Sequence, residues 1–172
     1  MNIGDPNIWE NISSFDIIYL DYNDGLDDIR RNAALFQEVI DYVNRNKEGA
    51  SPNVVMGISM GGLVARYALR KMELENRKHD TWKFISVDSP HKGANVPIGM
   101  QAMLRHLADV KFSVAFIKIF QAKNIDMIKK GLEILDSKAA KQMLVYHVDS
   151  RLQIDGNEHN AFQTEYDNVG FP

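Results

Sequence analysis

Residues 54–67 read Val-Val-Met-Gly-Ile-Ser-Met-Gly-Gly-Leu-Val-Ala-Arg-Tyr. A short apolar run enters Gly57-x-Ser59-x-Gly61 and a helix-forming stretch leaves it. No other segment constrains the fold as much. A strand that turns sharply into a helix at a serine lifts the hydroxyl to the top of a sheet and aims the helix N-terminus at it, the pattern of a nucleophile elbow. The bare five-residue pattern arises by chance in roughly 5% of chains this long at ordinary Gly and Ser usage, so its context decides. Val54–Met56 has the composition of a buried parallel strand. Leu63, Val64, Tyr67, Ala68 and Met72 recur at helical spacing. A nucleophile in a strained turn needs small neighbours, which Gly57 and Gly61 supply and Gly62 extends. The structural alternative is a strand–turn–helix junction whose serine is only a helix cap.

The flanking segments extend the alternation. Asp16–Tyr22 is β-branched and aromatic and predicts a strand, broken by the turn residues Asn23, Asp24 and Gly25. A helix is expected from Asp27 or Asp28, with acidic residues in its first turn. Its apolar face is Ile29, Ala33, Phe36, Ile40 and Val43. It closes at Gly49–Pro52. The elbow helix runs to about Glu75, Asn76–Asp80 is loop, and Trp82–Val87 is a further strand. Strand, helix, strand, helix, strand predicts an α/β class with parallel βαβ units. Ligands then bind beyond the carboxyl ends of the strands, where Ser59 falls.

Beyond that strand the pattern changes. Helices are expected at Pro97–Val110, Phe112–Gln121, Asn124–Leu135 and Ser137–Val148, the last with Asp136-Ser137 as cap; Leu144–Val148 reads equally as strand. Such a run suggests a helical lid or cap. Met100, Met103, Phe112, Phe116 and Phe120 either line an acyl pocket or form ordinary helix–helix core. Arg151–Pro172 is a polar tail rich in Asn, Asp and Gly, with Phe162, Tyr166 and Phe171 as anchors. The expected division is residues 1–96 as a core portion carrying the elbow, 97–150 as the helical segment and 151–172 as the tail.

Composition excludes several classes. The 172 residues carry 20 Lys and Arg against 23 Asp and Glu, a net charge of −3, which is no electrostatic footprint for nucleic acid. No apolar run approaches the roughly 20 residues of a membrane span. Met1–Glu10 is polar and lacks the apolar stretch of a secretory signal; the compartment stays open. Cysteine is absent, which removes disulfides, thiolate metal sites and cysteine nucleophiles. No metal, phosphate-loop or dinucleotide motif is present, so no cofactor is expected. Oligomeric state is not legible.

Two stretches together resemble the α/β-hydrolases, specifically the lipase- and esterase-like group: Gly57–Tyr67, and Ser86-Val87-Asp88-Ser89-Pro90-His91-Lys92-Gly93-Ala94-Asn95, which is similar to the Thr/Ser-Pro-His-x-Gly segment after the next strand. With Asp16–Tyr22 the resemblance covers roughly residues 15–97. It implies an incomplete α/β-hydrolase core followed by a lid. It implies attack by Ser59 on a small-molecule or lipid ester, with the Met60 backbone N–H donating to the oxyanion. A histidine base and an orienting carboxylate must complete the site. In the family's order Ser, acid, His, these usually follow later strands. Within the chain, Asp88 at the carboxyl edge is the best acid, with loop hydrogen bonding as its alternative; Asp149 and Asp155 are weaker. His91 is a candidate base or a near-site structural group, as usual in the resembled segment. His147 and His159 follow in the right order, and His79 and His106 are expected on surface or helix. No convincing strand is read after Val87, and the resembled family's earlier strands would lie before Met1, so the chain is expected to be part of a larger hydrolase. The competing functions are acyl transfer or thioester cleavage on the same elbow, and a non-catalytic binding module that keeps the fold.

Overall fold

The computed structural model describes residues 15–109 and 122–172. In chain order the elements are α1 (Ile29–Asn46), β1 (Asn53–Ile58), α2 (Met60–Leu74), β2 (Thr81–Val87), α3 (Ile98–Asp109), α4 (Ala122–Asp136), α5 (Lys138–Met143), β3 (His147–Val148), β4 (Ile154–Asp155) and α6 (Asn157–Val169). The architecture is mixed α/β, with a short parallel sheet and flanking helices.

α1 starts where its sequence places a cap. The Asp28 carboxylate accepts the Arg30 N–H at 2.9 Å, satisfying one of the helix's free donors. Asp28 thus precedes the helix, and the first turn itself carries no acidic residue. Ile29, Ala33 and Ile40 are buried and Phe36 is partly buried, so the expected face is the buried one. The helix ends at Asn46, before Gly49.

β1 and β2 pair in parallel, with Met56 opposite Ile85, Gly57 opposite Ser86 and Ile58 opposite Val87. One face of this pair is packed: Val55 joins Ile40, Ala65, Leu69 and Met72, with Phe36 and Phe84 beside them. On the other face Val54, Met56, Ile58, Ile85 and Val87 are exposed. The two strands form a two-stranded sheet, and Asp16–Tyr22 is not part of it. That segment is irregular, and Phe15, Ile17, Ile18 and Tyr19 are exposed. Its composition suits a strand, but β structure needs a partner for its backbone groups, and none of the described strands pairs with it.

α2 is buried along most of its length, with Leu63, Val64, Ala65, Ala68, Leu69 and Met72 each at 1% exposure or less. Two clusters meet on it. One faces the sheet; the other joins Leu63, Val64, Tyr67 and Ala68 to Ile29, Ala33, Ala139, Phe162, Tyr166 and Val169. Full burial of one such aliphatic side chain is worth roughly 1.5–3 kcal/mol, so α2 is the core's main element.

In the second half one open alternative, helix end or strand at Leu144–Val148, goes to extended structure, and one expectation fails. The helix expected at Ser137–Val148 stops at Met143, and Leu144 bridges Ala94 in parallel before the β3–β4 hairpin. Ser137 caps α5 by accepting the Ala140 N–H at 3.1 Å. The Ala94 N–H donates to Met143 O at 2.7 Å and the Val145 N–H to Ala94 O at 3.0 Å, so extended pairing replaces the last helical turn. The tail is the larger departure: residues 157–169 are a helix. His159, Phe162, Tyr166 and Val169, spaced three, four and three, form its buried face. The helix expected at Phe112–Gln121 lies outside the described residues.

Candidate active site

Ser59 joins β1 to α2 with φ 53° and ψ −125°, a backbone conformation L-residues rarely adopt and one that clusters at functional sites. Its N–H donates to Val87 O at 2.9 Å and its carbonyl accepts the Gly62 N–H at 3.0 Å. The turn is thus tied to both the neighbouring strand and the helix it starts. The side chain makes no capping bond to the helix, and the residue is exposed.

The glycines divide differently from the sequence expectation. A Cβ at Gly57 would lie 2.5 Å from Gly61 O, and one at Gly62 would lie 2.0 Å from Ser89 Oγ and 2.5 Å from Ser86 Oγ. At Gly61 nothing lies within 4 Å. The crowded pair is therefore Gly57 and Gly62. Gly62 is where the elbow meets the second motif: the start of α2 packs on Ser86 and Ser89.

Asp88 follows β2 at the same carboxyl edge, also with positive φ (47°), and is exposed. The loop after it is held by α6. His91 Nδ1 is 2.8 Å from the Tyr166 hydroxyl and Nε2 is 2.8 Å from Ser86 Oγ. The Gln163 amide donates to His91 O at 3.1 Å, and Lys92 pairs with Asp167 at 3.0 Å. Both His91 ring nitrogens are thus engaged by groups other than Ser59. Burial, and then the positive charge of Arg66, hold the ring below its ordinary value of 6.5, which favours the neutral imidazole.

Arg66 underlies this arrangement. It is 2% exposed, its guanidinium carbon 3.9 Å from the Tyr166 ring centroid and 3.6 Å from that of Phe171. It donates to Gly170 O at 2.8 Å and to Tyr166 O at 3.2 Å, while Nη1 has no hydrogen-bond partner among the described residues. Arg70 donates to Val169 O at 3.0 Å. Two cations of the elbow helix therefore occupy the carbonyl end of α6, where free acceptors and the dipole favour positive charge. Burial also raises the Tyr166 hydroxyl well above its ordinary range, so it stays protonated.

The remaining candidates lie elsewhere. His147 is buried with Nε2 3.2 Å from Asp136, whose carboxylate also takes Arg105 at 2.5 and 3.0 Å. His159 Nδ1 is 2.9 Å from Gln142 O. His79 is partly buried between Glu73 and the Thr81 N–H, and His106 is exposed. Asp149 accepts the N–H groups of Arg151 and Gln153, and Asp155 that of Asn157, each as a turn-forming carboxylate. A polar cavity of about 440 Å³ is lined by Asp136, Lys138, Lys141, His147, Asp149, Asp155 and Glu158, a set without Ser59. Met100 and Met103 are exposed on α3; Phe112, Phe116 and Phe120 lie outside the described residues. Among the described residues no cluster of three metal-ligating side chains occurs, and no helix is long and apolar enough to cross a membrane.

Sequence reasoning missed Ser86 and Tyr166 as members of this neighbourhood. The spacing of Phe162, Tyr166 and Val169 carried the helical signal, but the surrounding Asn, Asp and Glu hid it. Ser86 carried none, because only the β1–β2 register brings it beneath Gly62.

In comparison with known proteins, residues 21–165 match the model of the family described as "Putative serine esterase (DUF676)". No curated protein and no solved structure matches the chain.

Proposed function

The chain belongs to the serine esterase family whose model spans residues 21–165, and from that premise we propose that it is a serine hydrolase of carboxylic esters with Ser59 as nucleophile. The observation that carries this reading is the backbone of Ser59 itself: φ 53° between a parallel strand and a fifteen-residue helix. Strain of this kind costs about 1–3 kcal/mol, and a serine that served only as a cap would not need it. The β1–α2–β2 unit is read as part of an α/β-hydrolase core.

In the proposed step Ser59 Oγ bonds to the ester carbonyl carbon as its proton passes to a histidine base. The carbonyl oxygen takes the negative charge, facing the Met60 N–H and the start of α2. Collapse breaks the ester C–O bond and the alcohol leaves with the proton, giving the acyl-enzyme; water reverses the sequence. Asp88 stands at the same edge and is the proposed acid. For His91 the bonds to Ser86 and Tyr166 support the near-site structural role over that of base to Ser59. A lipid ester is the finer substrate reading, supported by the exposed Ile58 and Val87 at the strand ends and Met100 and Met103 on α3.

One observation favours a second reading, a non-catalytic binding module: among the described residues no histidine hydrogen-bonds Ser59. Fluorophosphonate labelling of the folded protein separates the two, with the modified peptide mapped by mass spectrometry. Modification of Ser59, together with p-nitrophenyl butyrate hydrolysis abolished by Ser59→Ala, is the expected result. A folded protein unmodified at Ser59 overturns the hydrolase reading.

A further inference from the structure

We propose that Ser86, paired with His91 and oriented by Tyr166, is a second activated serine, open to acylation or phosphonylation independently of Ser59. Ser86 is exposed, and its Oγ lies 2.8 Å from His91 Nε2, while His91 Nδ1 lies 2.8 Å from the Tyr166 hydroxyl. A nucleophile within hydrogen-bond reach of a base, itself oriented by a third group, is the arrangement nucleophilic catalysis uses. Either neutral tautomer fits these distances; in the one proposed, Nδ1–H donates to the Tyr166 oxygen and Nε2 accepts the Ser86 hydroxyl. That is the tautomer a general base needs toward a serine.

The surroundings favour the same reading. Tyr166 is 0% exposed and its ring is parallel to that of His91, with the centroids 6.2 Å apart, so the third group cannot swing away. Burial and Arg66 beneath Tyr166 keep the resting imidazole neutral and able to accept a proton, and by the same charge make the imidazolium formed on attack less stable, which lowers the rate. Ser86 Oγ also lies beside the first turn of α2, as the 2.5 Å approach to a Cβ at Gly62 shows. The positive end of that helix favours the oxyanion character an attacking serine develops. Tyr166 is neutral where a triad has a carboxylate, so it stabilises the imidazolium less and Ser86 reacts more slowly than a full triad serine.

With a fluorophosphonate the step balances simply. Ser86 Oγ bonds to phosphorus, the P–F bond breaks, fluoride leaves, and the serine proton passes to His91 Nε2. With an activated ester, Oγ bonds to the acyl carbon, the ester C–O bond breaks, and His91 returns the proton to the departing alkoxide.

The test is labelling of the full chain carrying Ser59→Ala, with the modified peptide mapped and the rate followed. We expect modification at Ser86, absent in Ser59→Ala/Ser86→Ala and slowed by about 10²-fold or more in Ser59→Ala/His91→Gln. Ser59→Ala/Tyr166→Phe keeps the ring stack and deletes only the hydroxyl, so it serves if the His91 variant does not fold. It is expected to slow labelling at least tenfold while circular dichroism stays unchanged. Folded Ser59→Ala protein without modification at Ser86 overturns the proposal, as does modification at an undiminished rate in either the His91 or the Tyr166 variant. Because Ser59 and Ser86 lie in separately mapped positions, failure at one leaves the reading of the other standing.

Discussion

Gly62 faces Ser89 so closely that a Cβ on residue 62 would lie 2.0 Å from Ser89 Oγ. The two motifs legible in the sequence therefore meet in space, and glycine is what allows the contact. Gly62→Ala is expected to destabilise the protein by about 1–3 kcal/mol through overpacking and to slow labelling of Ser59. Gly61→Ala, at a position with open space, is expected to be neutral or stabilising by up to about 1 kcal/mol from helix propensity. Urea unfolding midpoints of the two variants check the contrast, and equal losses would contradict it.

Ser59→Gly removes the nucleophile and the side chain that makes φ 53° costly. The variant is expected to unfold at higher temperature, by the equivalent of about 1 kcal/mol, and to lose labelling at residue 59. A lower midpoint than wild type would show that the elbow is not strained.

Arg66→Ala deletes a buried guanidinium with two carbonyl acceptors and two aromatic faces. A loss of about 3 kcal/mol is expected from lost charge-assisted bonds and the cavity left behind. Arg70→Ala removes a partly exposed cation and is expected to cost under about 1 kcal/mol. Calorimetry on both variants measures the ratio.

His91 adds a pH dependence whose sign follows from its lowered value. The unfolded ring titrates at its ordinary value and the folded ring below it, so between the two the unfolded state binds more protons and stability rises with pH. The contribution is complete above the ordinary value and is lost as pH falls toward the folded one. Urea midpoints from about pH 7.5 down to about pH 5 are expected to fall less in His91→Gln than in wild type.

The elbow, the α1 face and the β1–β2 pair were legible because each is written in local periodicity and turn chemistry: Ile29, Ala33 and Ile40 at helical spacing, Val54–Met56 before the glycines. Asp16–Tyr22 shows the limit of that reading. Strand propensity describes a side-chain set, but a strand exists only against a partner, and pairing is not local. Ser86 and Tyr166 fail for the same reason, since 80 residues of chain separate groups that His91 brings together. The tail helix was missed for a different cause: its buried face was present, and polar composition outweighed it.

The brace on the elbow helix has a kinetic consequence. Arg66 reaches Gly170 O across 104 residues and Arg70 reaches Val169 O across 99. Closing a chain loop of about that length costs on the order of 4 kcal/mol of entropy beyond a fixed term, and contacts of such separation form late and slow folding. The brace on the nucleophile's helix is thus among the last contacts to be set. A ribosome-bound chain ending before residue 157 carries the elbow motif without the helix that holds it, and is expected to be protease-sensitive across Met60–Leu74 until α6 docks.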